Sequence, residues 1–374
     1  MSRKENHIVI IGGSFAGVKT AHRFLKSVQN KDVGHYKVTM ISRDTHLYWN
    51  IAAPRAIVPG TIPDEKLFME IAPGFSRYGS DKFEFVVGTA TDIDIDKKQV
   101  KVDKSGKLTV VDYDYLIIGS GANTGEDSPF KSGGSTEVTK ERLHSFQKRV
   151  QEAKSIIVAG AGPTGVETAG EIAYLYGNKK EVVLLSAGPV VLADCPEAVS
   201  KSAHSQLEAL GVKVKLNARS GDAVTLPNGK KEVVLSGGER LTTDLLIPTF
   251  GMTPNSSFIP MSLLDHRGYV KVDHFFAVKG CKDVFAIGDV SDAEAPQLLF
   301  VDGQSAHMAK NLVQLVTAKP LIPYKVSTTI IGGVQIGNSG VGRYGNWKIP
   351  GFVIHALRKT LFIEQLPKTI ENGA

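Results

Sequence analysis

Gly160, Gly162 and Gly165 follow directly on the apolar run Ser155-Ile-Ile-Val-Ala159 and lead into the small-residue stretch Val166-Glu-Thr-Ala-Gly170. That spacing has a chemical use. The first glycine permits a tight turn, the second lets a pyrophosphate approach the backbone, and the third lets a helix pack against a strand, so that phosphate oxygens sit on the unpaired N–H groups of a helix start. Three glycines at this spacing also occur in loops that bind nothing, but here the pattern is present twice. His7-Ile-Val-Ile-Ile11 runs into Gly12, Gly13, Ser14 and Gly17, with Val18 to Leu25 as the helix. Ser14 takes the place of the middle glycine and is small enough for a close backbone approach.

Each cradle needs a sheet behind it, and the chain repeats one plan. After the first cradle come the strand Tyr36 to Ser42, an alternating region from Phe83 to Val111 with turns at Lys97-Lys98 and Ser105-Gly106, and the buried strand and glycine loop Tyr115-Leu-Ile-Ile-Gly-Ser120-Gly121. A charged, glycine-free stretch from Glu137 to Ala153 reads as a connecting helix. After the second cradle come the strand Glu181 to Ser186, an amphipathic helix from about Pro196 to Leu210, an alternating region with turns at Asn228-Gly229 and Gly237-Gly238, and Asp244-Leu-Leu-Ile-Pro-Thr-Phe-Gly251. Two dinucleotide-binding domains in tandem require this order twice. An acid at the end of the second strand ordinarily holds ribose hydroxyls; Ser42 occupies that place in the first copy, with Arg43 and Asp44 beyond, and Ser186 occupies it in the second.

Other residues carry two readings each. Tyr48, Trp49 and Arg55 either flank a planar cofactor and its phosphates or anchor a loop. Asp289, in Val284-Phe-Ala-Ile-Gly-Asp289, either accepts hydrogen bonds from a sugar or sugar alcohol or serves as a turn aspartate. Pro296 to Ala318 reads as a helix. Beyond it, glycines cluster from Gly332 to Gly345, and Ile349 to Phe362 is apolar apart from His355, Arg358 and Lys359. This last segment reads as a buried or homodimer-interface helix, or as a contact with a membrane surface.

Composition narrows the classes. With 374 residues, 42% hydrophobic and 22% charged, the chain can form two or three domains with proper cores. The net charge of +6 is scattered along the chain with few runs, which fits a solvated basic surface better than a nucleic-acid site. Cys195 and Cys281 lack the spacing of a redox dithiol, and no histidine cluster has metal-ligand spacing. The few residues before His7 leave no room for a signal or transit peptide, Ser2 excludes myristoylation, and no apolar run reaches membrane-spanning length; the expectation is a cytoplasmic protein, peripheral at most on a mitochondrial outer membrane or lipid droplet.

Taken together, Gly12-Gly-Ser-Phe-Ala-Gly17, Ile118-Gly-Ser-Gly121, Gly160-Ala-Gly-Pro-Thr-Gly-Val-Glu167, Phe250-Gly-Met-Thr-Pro-Asn255 and Ala286-Ile-Gly-Asp289 resemble the two-dinucleotide-binding flavoprotein superfamily. Trp49-Asn-Ile-Ala-Ala-Pro-Arg55 and Pro350 to Phe362 are similar to the apoptosis-inducing-factor-like branch, the one that holds ferroptosis suppressor protein and its fungal relatives. The resemblance implies an α/β fold of two Rossmann-like domains, an FAD domain (1–125 and 252–322) interrupted by an NAD(P)H domain (126–251), followed by a small C-terminal α+β region (323–374).

It further implies that Gly12, Gly13, Ser14, Phe15, Ala16 and Gly17 hold the FAD pyrophosphate, with Ser42 and Arg43 at the ribose, Val86 offering backbone to adenine, and Arg55, Ser120, Gly121, Gln297 and Leu298 toward the flavin. Gly288 and Asp289 serve the ribitol. Gly160, Gly162, Pro163, Thr164, Gly165, Ser186 and Gly251 fall to the nicotinamide cofactor, and Glu167 is expected in the first helical turn, facing the nicotinamide pocket, where it either positions the ring or modulates the flavin, or only favours the helix dipole. Gln297 stands where close relatives can carry lysine near the flavin. The activity implied is transfer of a hydride from NAD(P)H to flavin and of electrons onward to a quinone, as in a type II NADH dehydrogenase, with Glu167, Gln297, Arg358, Lys359 and Phe362 as the residues of the reaction and the acceptor path. A cell-death effector with nucleic-acid binding and a reductase of a small iron-sulfur protein are the alternatives.

Overall fold

The structure, a computed structural model, describes residues 6–125, 127–326 and 330–374. The lead Met1 to Glu5 and Glu126, the first residue of the expected inserted domain, lie outside them.

Two parallel sheets form the frame. In the first, the strand Asn6–Ile11 lies centrally, with Tyr36–Ser42 and then Phe83–Val87 on one side and Tyr115–Ile118 and then Val284–Ala286 on the other. Ile8 is paired with both Val38 and Tyr115, and Met40 with Phe85. Ile8, Val9 and Ile10 are fully buried, because both faces of this parallel sheet are covered and its strands become continuous apolar runs. The second sheet repeats this layout. Ser155–Ala159 lies between Glu181–Leu185 and Leu245–Pro248, with Lys213–Lys215 outside. In each sheet the cradle strand has neighbours on both sides, and the crevice beyond its carboxyl end is where ligands of such sheets bind.

The alternating regions are antiparallel meanders of Thr89–Asp94, Gln99–Lys104 and Lys107–Asp112, and of Ser220–Thr225, Lys231–Leu235 and Arg240–Thr243. The chain leaves the first sheet through Ala122–Asn123 and returns through Thr253–Pro254, and these two segments pair with each other. The helix Leu298–Val316 packs against Phe15–Val28, where Asp302 accepts from both Lys19 (2.8 Å) and Arg23 (2.7 Å).

The last section is a three-stranded antiparallel sheet, Ile331–Ile336, Ser339–Tyr344 and Trp347–Ile349, capped by the helix Gly351–Arg358. Its glycines seat that helix: a Cβ on Gly342 would overlap the side chain of Ile354. The apolar segment from Ile349 to Phe362 is therefore not one helix. It starts as a strand end, forms eight helical residues, and turns sharply where Leu361 (φ 52°) and Phe362 (φ 57°) adopt the left-handed conformation. The Trp49 Nε1–H donates to the Leu361 carbonyl (2.9 Å) and holds the turn against its strain. A further helix, Gln365–Asn372, then docks on the first domain through Ile370, whose carbonyl is bonded to the buried ring of His22 (2.6 Å).

Candidate functional site

At the carboxyl end of Asn6–Ile11 opens a cleft of about 1250 Å³, counted to its open mouth. Gly12 turns the chain into it with φ +118°, a value at which an L side chain is strained, and a Cβ there would also overlap the Gly119 carbonyl. Ser14 takes the N-cap position of Phe15–Val28 without using its side chain as a cap, and the first turn of this helix carries no acid. Free N–H groups and an unopposed helix dipole thus face the cleft, as a diphosphate requires. Gly17 lies buried behind them against the Gly12 carbonyl.

Of the residues expected here, Gly12, Gly13, Ser14, Phe15, Ala16, Ser42, Arg43, Ser120, Gly121, Gly288 and Asp289 line the cleft. Arg55, Val86, Gln297 and Leu298 do not. Val86 is buried within its strand, and the cleft wall begins two residues later at Gly88. Gln297 is an exposed N-cap without a side-chain cap bond, and Leu298 opens the helix behind it. Ser42 is not a free ribose ligand, because its hydroxyl donates to the Asp44 carbonyl (2.8 Å) and accepts from the Asp44 N–H (3.1 Å).

The structure also supplies contacts at the cleft that sequence reasoning missed. Lys131 reaches Asp289 (2.7 Å), and the buried Gln304 accepts from the Gly288 N–H (2.6 Å) and fixes the Gly288-Asp289 turn. Ser120 and Asn255 exchange hydrogen bonds, the serine hydroxyl to the asparagine carbonyl (2.7 Å) and the asparagine amide to the serine carbonyl (2.9 Å), which ties the two glycine loops together. Asp44 lines the wall as a carboxylate whose pKa burial lifts to about 6, against the lowering effect of the Ser132 hydroxyl. None of these partners is near in sequence, so only the Asp and Lys residue types themselves were a signal.

The second cradle has the same construction. Gly160 turns with φ +113°, and its N–H donates to the Leu185 carbonyl (3.0 Å). Gly162 is the N-cap of Pro163–Tyr176, with Pro163 at the first position, where its missing N–H costs nothing. The first turn again has no acid. A Cβ on Gly165 would overlap the Gly160 carbonyl and lie 2.7 Å from Thr249 Oγ1, whereas a Cβ on Gly162 would meet nothing within 4 Å. Gly165 is thus a packing glycine, and Gly162 faces open space that a phosphate can enter. Ser186 is buried, and its hydroxyl donates to the Val190 carbonyl (2.7 Å) within its own turn. Gly251 sits in an exposed turn with φ +80°, next to the half-exposed Phe250.

Glu167 falls in the second turn of the Pro163–Tyr176 helix, not the first, and faces the C-terminal sheet. It accepts from Arg358 Nη2 (2.6 Å) and from the Gln335 N–H (3.3 Å); burial raises its pKa and the Arg358 guanidinium opposes the rise. Arg358 in turn stacks over Phe362, with the guanidinium 5.4 Å from the ring centre, and its buried Nε–H has no partner among the described residues. One helical turn beyond Glu167, Glu171 takes a two-pronged pair from Arg55, Nε to Oε2 and Nη2 to Oε1, both 2.8 Å. Arg55 also donates to the Lys359 carbonyl (2.6 Å), while the Lys359 side chain is exposed. The structure therefore brings Glu167, Arg358 and Phe362 together and holds Arg55 at the same junction through Glu171 and the Lys359 carbonyl. The acid four residues after Glu167 was the legible signal for Glu171.

Both cysteines are unpaired, and burial raises the pKa of each thiol. Among the described residues there is no cluster able to hold a metal ion and no helix long and apolar enough to cross a membrane.

Comparison with known proteins agrees with this geometry. The profile of the family described as pyridine nucleotide-disulphide oxidoreductase matches residues 6–316. The chain is 60% identical over 368 residues to Oxidoreductase ptaL of Pestalotiopsis fici (98% of this chain, 99% of that one). It is 28% identical over 378 residues to human Ferroptosis suppressor protein 1 (98% and 96%). Among solved structures it resembles the sulfide:quinone oxidoreductase of Aquifex aeolicus, with a TM-score of 0.80 at 18% identity over 98% of this chain and 92% of that one. NDH2 of Plasmodium falciparum gives a TM-score of 0.77 at 15% identity over 97% and 95%.

Proposed function

The chain belongs to the pyridine nucleotide-disulphide oxidoreductase family, and from that premise we propose that it passes a hydride from NAD(P)H to FAD and delivers the electrons to a quinone-type acceptor. It is an oxidoreductase whose cofactors are FAD and NAD(P)H. The observation that carries the reading is the pair of cradles, each a glycine turn at the carboxyl end of a central strand facing an acid-free helix start. The Gly12–Gly17 cleft takes FAD and the Gly160–Gly165 turn takes NAD(P)H. In domain terms, residues 1–125 and 252–322 carry FAD, 126–251 carry NAD(P)H, and 323–374 serve the acceptor side.

When bound, FAD supplies the chemistry, accepting a hydride from the nicotinamide and releasing electrons to the acceptor. The protein's residues bind and orient. The helix start at Ser14 meets the FAD diphosphate, and Asp289, steered by Lys131 and by the Gln304-fixed turn, offers a carboxylate to the ribitol. The helix start at Gly162 meets the NAD(P)H diphosphate. Ser186 presents no acid to repel a 2′-phosphate, and Ala187-Gly-Pro189 present no cation to grip one, so NADH and NADPH are both used with little preference.

An acceptor of the direct kind is favoured because the two thiols are far apart in sequence, unpaired and held protonated. The aromatic ring of Phe362, with the Arg358 guanidinium over it, suits a planar molecule. Trp347 (80% exposed) and Phe352 (76% exposed) give the C-terminal region an apolar face toward a second copy or a membrane surface. Acceptor profiling tests the reading: a soluble quinone is expected to support NADH oxidation faster than an iron-sulfur protein, and the reverse order would replace it.

A further inference from the structure

Ser42 leaves the first cleft without the strand-end acid that ordinarily holds ribose, and its hydroxyl is fully engaged with the backbone of Asp44. The turn it makes brings Asp44 to the cleft, which Gly13, Gly88, Thr89 and Ala90 also line. Gly88 donates its N–H to the Ser42 carbonyl (2.8 Å), so this wall belongs to the end of the cleft formed by the second and third strands of the sheet. We propose that Asp44, steadied by Ser132, takes the adenosine ribose hydroxyls of FAD in place of the missing acid; this rests on the reading of the first cleft as the FAD site.

The carboxylate is held in place and only partly satisfied. Ser132 Oγ lies 2.9 Å from Oδ1 and 2.8 Å from Oδ2, and its single hydrogen leaves most of the acceptor capacity of the two oxygens unused. A vicinal diol, with two donors side by side, matches what remains. The supporting loops are bound to each other: Thr136 Oγ1 accepts the N–H groups of Thr45 and His46 (both 3.1 Å), and the Gly133 N–H donates to Thr139 Oγ1 (2.8 Å).

The charged groups around Asp44 act in opposite directions. Arg43, on the same turn, favours the carboxylate, and Glu137, on the helix packed across it, disfavours it. His46 also lines the cleft and is paired at 4.0 Å with Glu70. Burial outweighs the Ser132 hydrogen bond and the charge of Arg43 and lifts the Asp44 pKa to about 6. Diol binding needs the charged form, so FAD affinity falls as the pH drops through that value.

The test titrates apo-protein with FAD and, separately, with FMN, which lacks the adenosine, and follows quenching of flavin fluorescence over a pH series. Asp44→Asn is expected to weaken FAD binding about 10- to 100-fold, the loss of hydrogen bonds to a charged acceptor, and to leave FMN binding unchanged. The pH dependence near 6 is expected in the wild type and absent in D44N. Ser132→Ala is expected to move the midpoint to higher pH, because the serine hydrogen bond holds the carboxyl pKa down. Unchanged FAD affinity in D44N, an equal loss of FMN, or a persisting midpoint near 6 would overturn the assignment. Should D44N not fold, an unmoved midpoint in S132A overturns it instead, and a raised one supports it. A folded wild-type protein that binds no flavin refutes the reading of the cleft, whereas FAD binding insensitive to D44N refutes only the role of Asp44.

Discussion

Replacing Gly162 by alanine puts a methyl group where a Cβ would meet no protein atom within 4 Å, and the backbone there (φ −73°, ψ −177°) is one that alanine adopts freely. Alanine restricts the unfolded chain, which stabilises by about 0.4–1 kcal/mol, and is a poorer N-cap than glycine, which cancels a similar amount. The melting temperature is therefore expected to stay within about 2 °C of wild type. Binding is a different matter. The methyl group occupies the approach to the helix N–H groups and removes charge-assisted hydrogen bonds to the diphosphate, each worth about 1.5–3 kcal/mol, or about 10- to 150-fold in Kd. Gly165→Ala has the opposite profile, since its Cβ would overlap the Gly160 carbonyl and crowd Thr249, neither of which is the end of a flexible side chain. Overpacking of that kind costs about 1–3 kcal/mol and is expected to lower the melting temperature by several degrees. The assay is a thermal melt, an FAD content and an NADH titration on each purified variant. G162A that melts as early as G165A, or that keeps wild-type NADH affinity with full FAD content, would refute the assignment of this turn as the electron-donor cradle.

Arg358→Ala leaves Glu167 buried without its countercharge and is expected to cost about 3–5 kcal/mol in denaturant titration, most of it recovered in the double variant R358M/E167Q; equal losses in both would show that the pair is not the source. His22 is held neutral by burial, its pKa lowered from 6.5 to about 4. The folded-state value lies below the unfolded one, so its contribution is complete above pH 6.5 and is lost as the pH falls from there toward 4, about 3 kcal/mol in all. His22→Gln is expected to flatten that limb of the stability curve, and an unchanged acid limb would place the loss elsewhere. A gel-shift titration near physiological salt is expected to show no nucleic-acid binding; retention that weakens steeply with added salt would revive the alternative of a nucleic-acid partner.

What was legible in the sequence is what neighbouring residues decide together. The strands Tyr36–Ser42 and Ser155–Ala159 and the two glycine turns follow from local apolar runs and spacing, and the helices Thr136–Glu152 and Glu197–Ala209 lie where pattern and turn residues place them. What escaped is long-range. Lys131 and Asp289 are 158 residues apart and Arg55 and Glu171 are 116 apart, so nothing local marks either pair. The break in the segment from Ile349 to Phe362 has the same origin, for Leu361 and Phe362 are residues that local preference would not put at positive φ, and Trp49, 312 positions away, holds the turn. Ser42 was visible as a departure from the ribose pattern, but the chain reversal that brings Asp44 to the cleft depends on hydrogen bonds no spacing announces.

The central claim is that two cradles in one chain couple NAD(P)H to FAD. It is tested most directly by adding NADH to the purified, FAD-loaded protein without oxygen and following the flavin absorbance, then adding a soluble quinone. The absorbance is expected to bleach with NADH and return with quinone. A folded protein that takes up no FAD, or bound FAD that NADH leaves oxidised, would contradict the account.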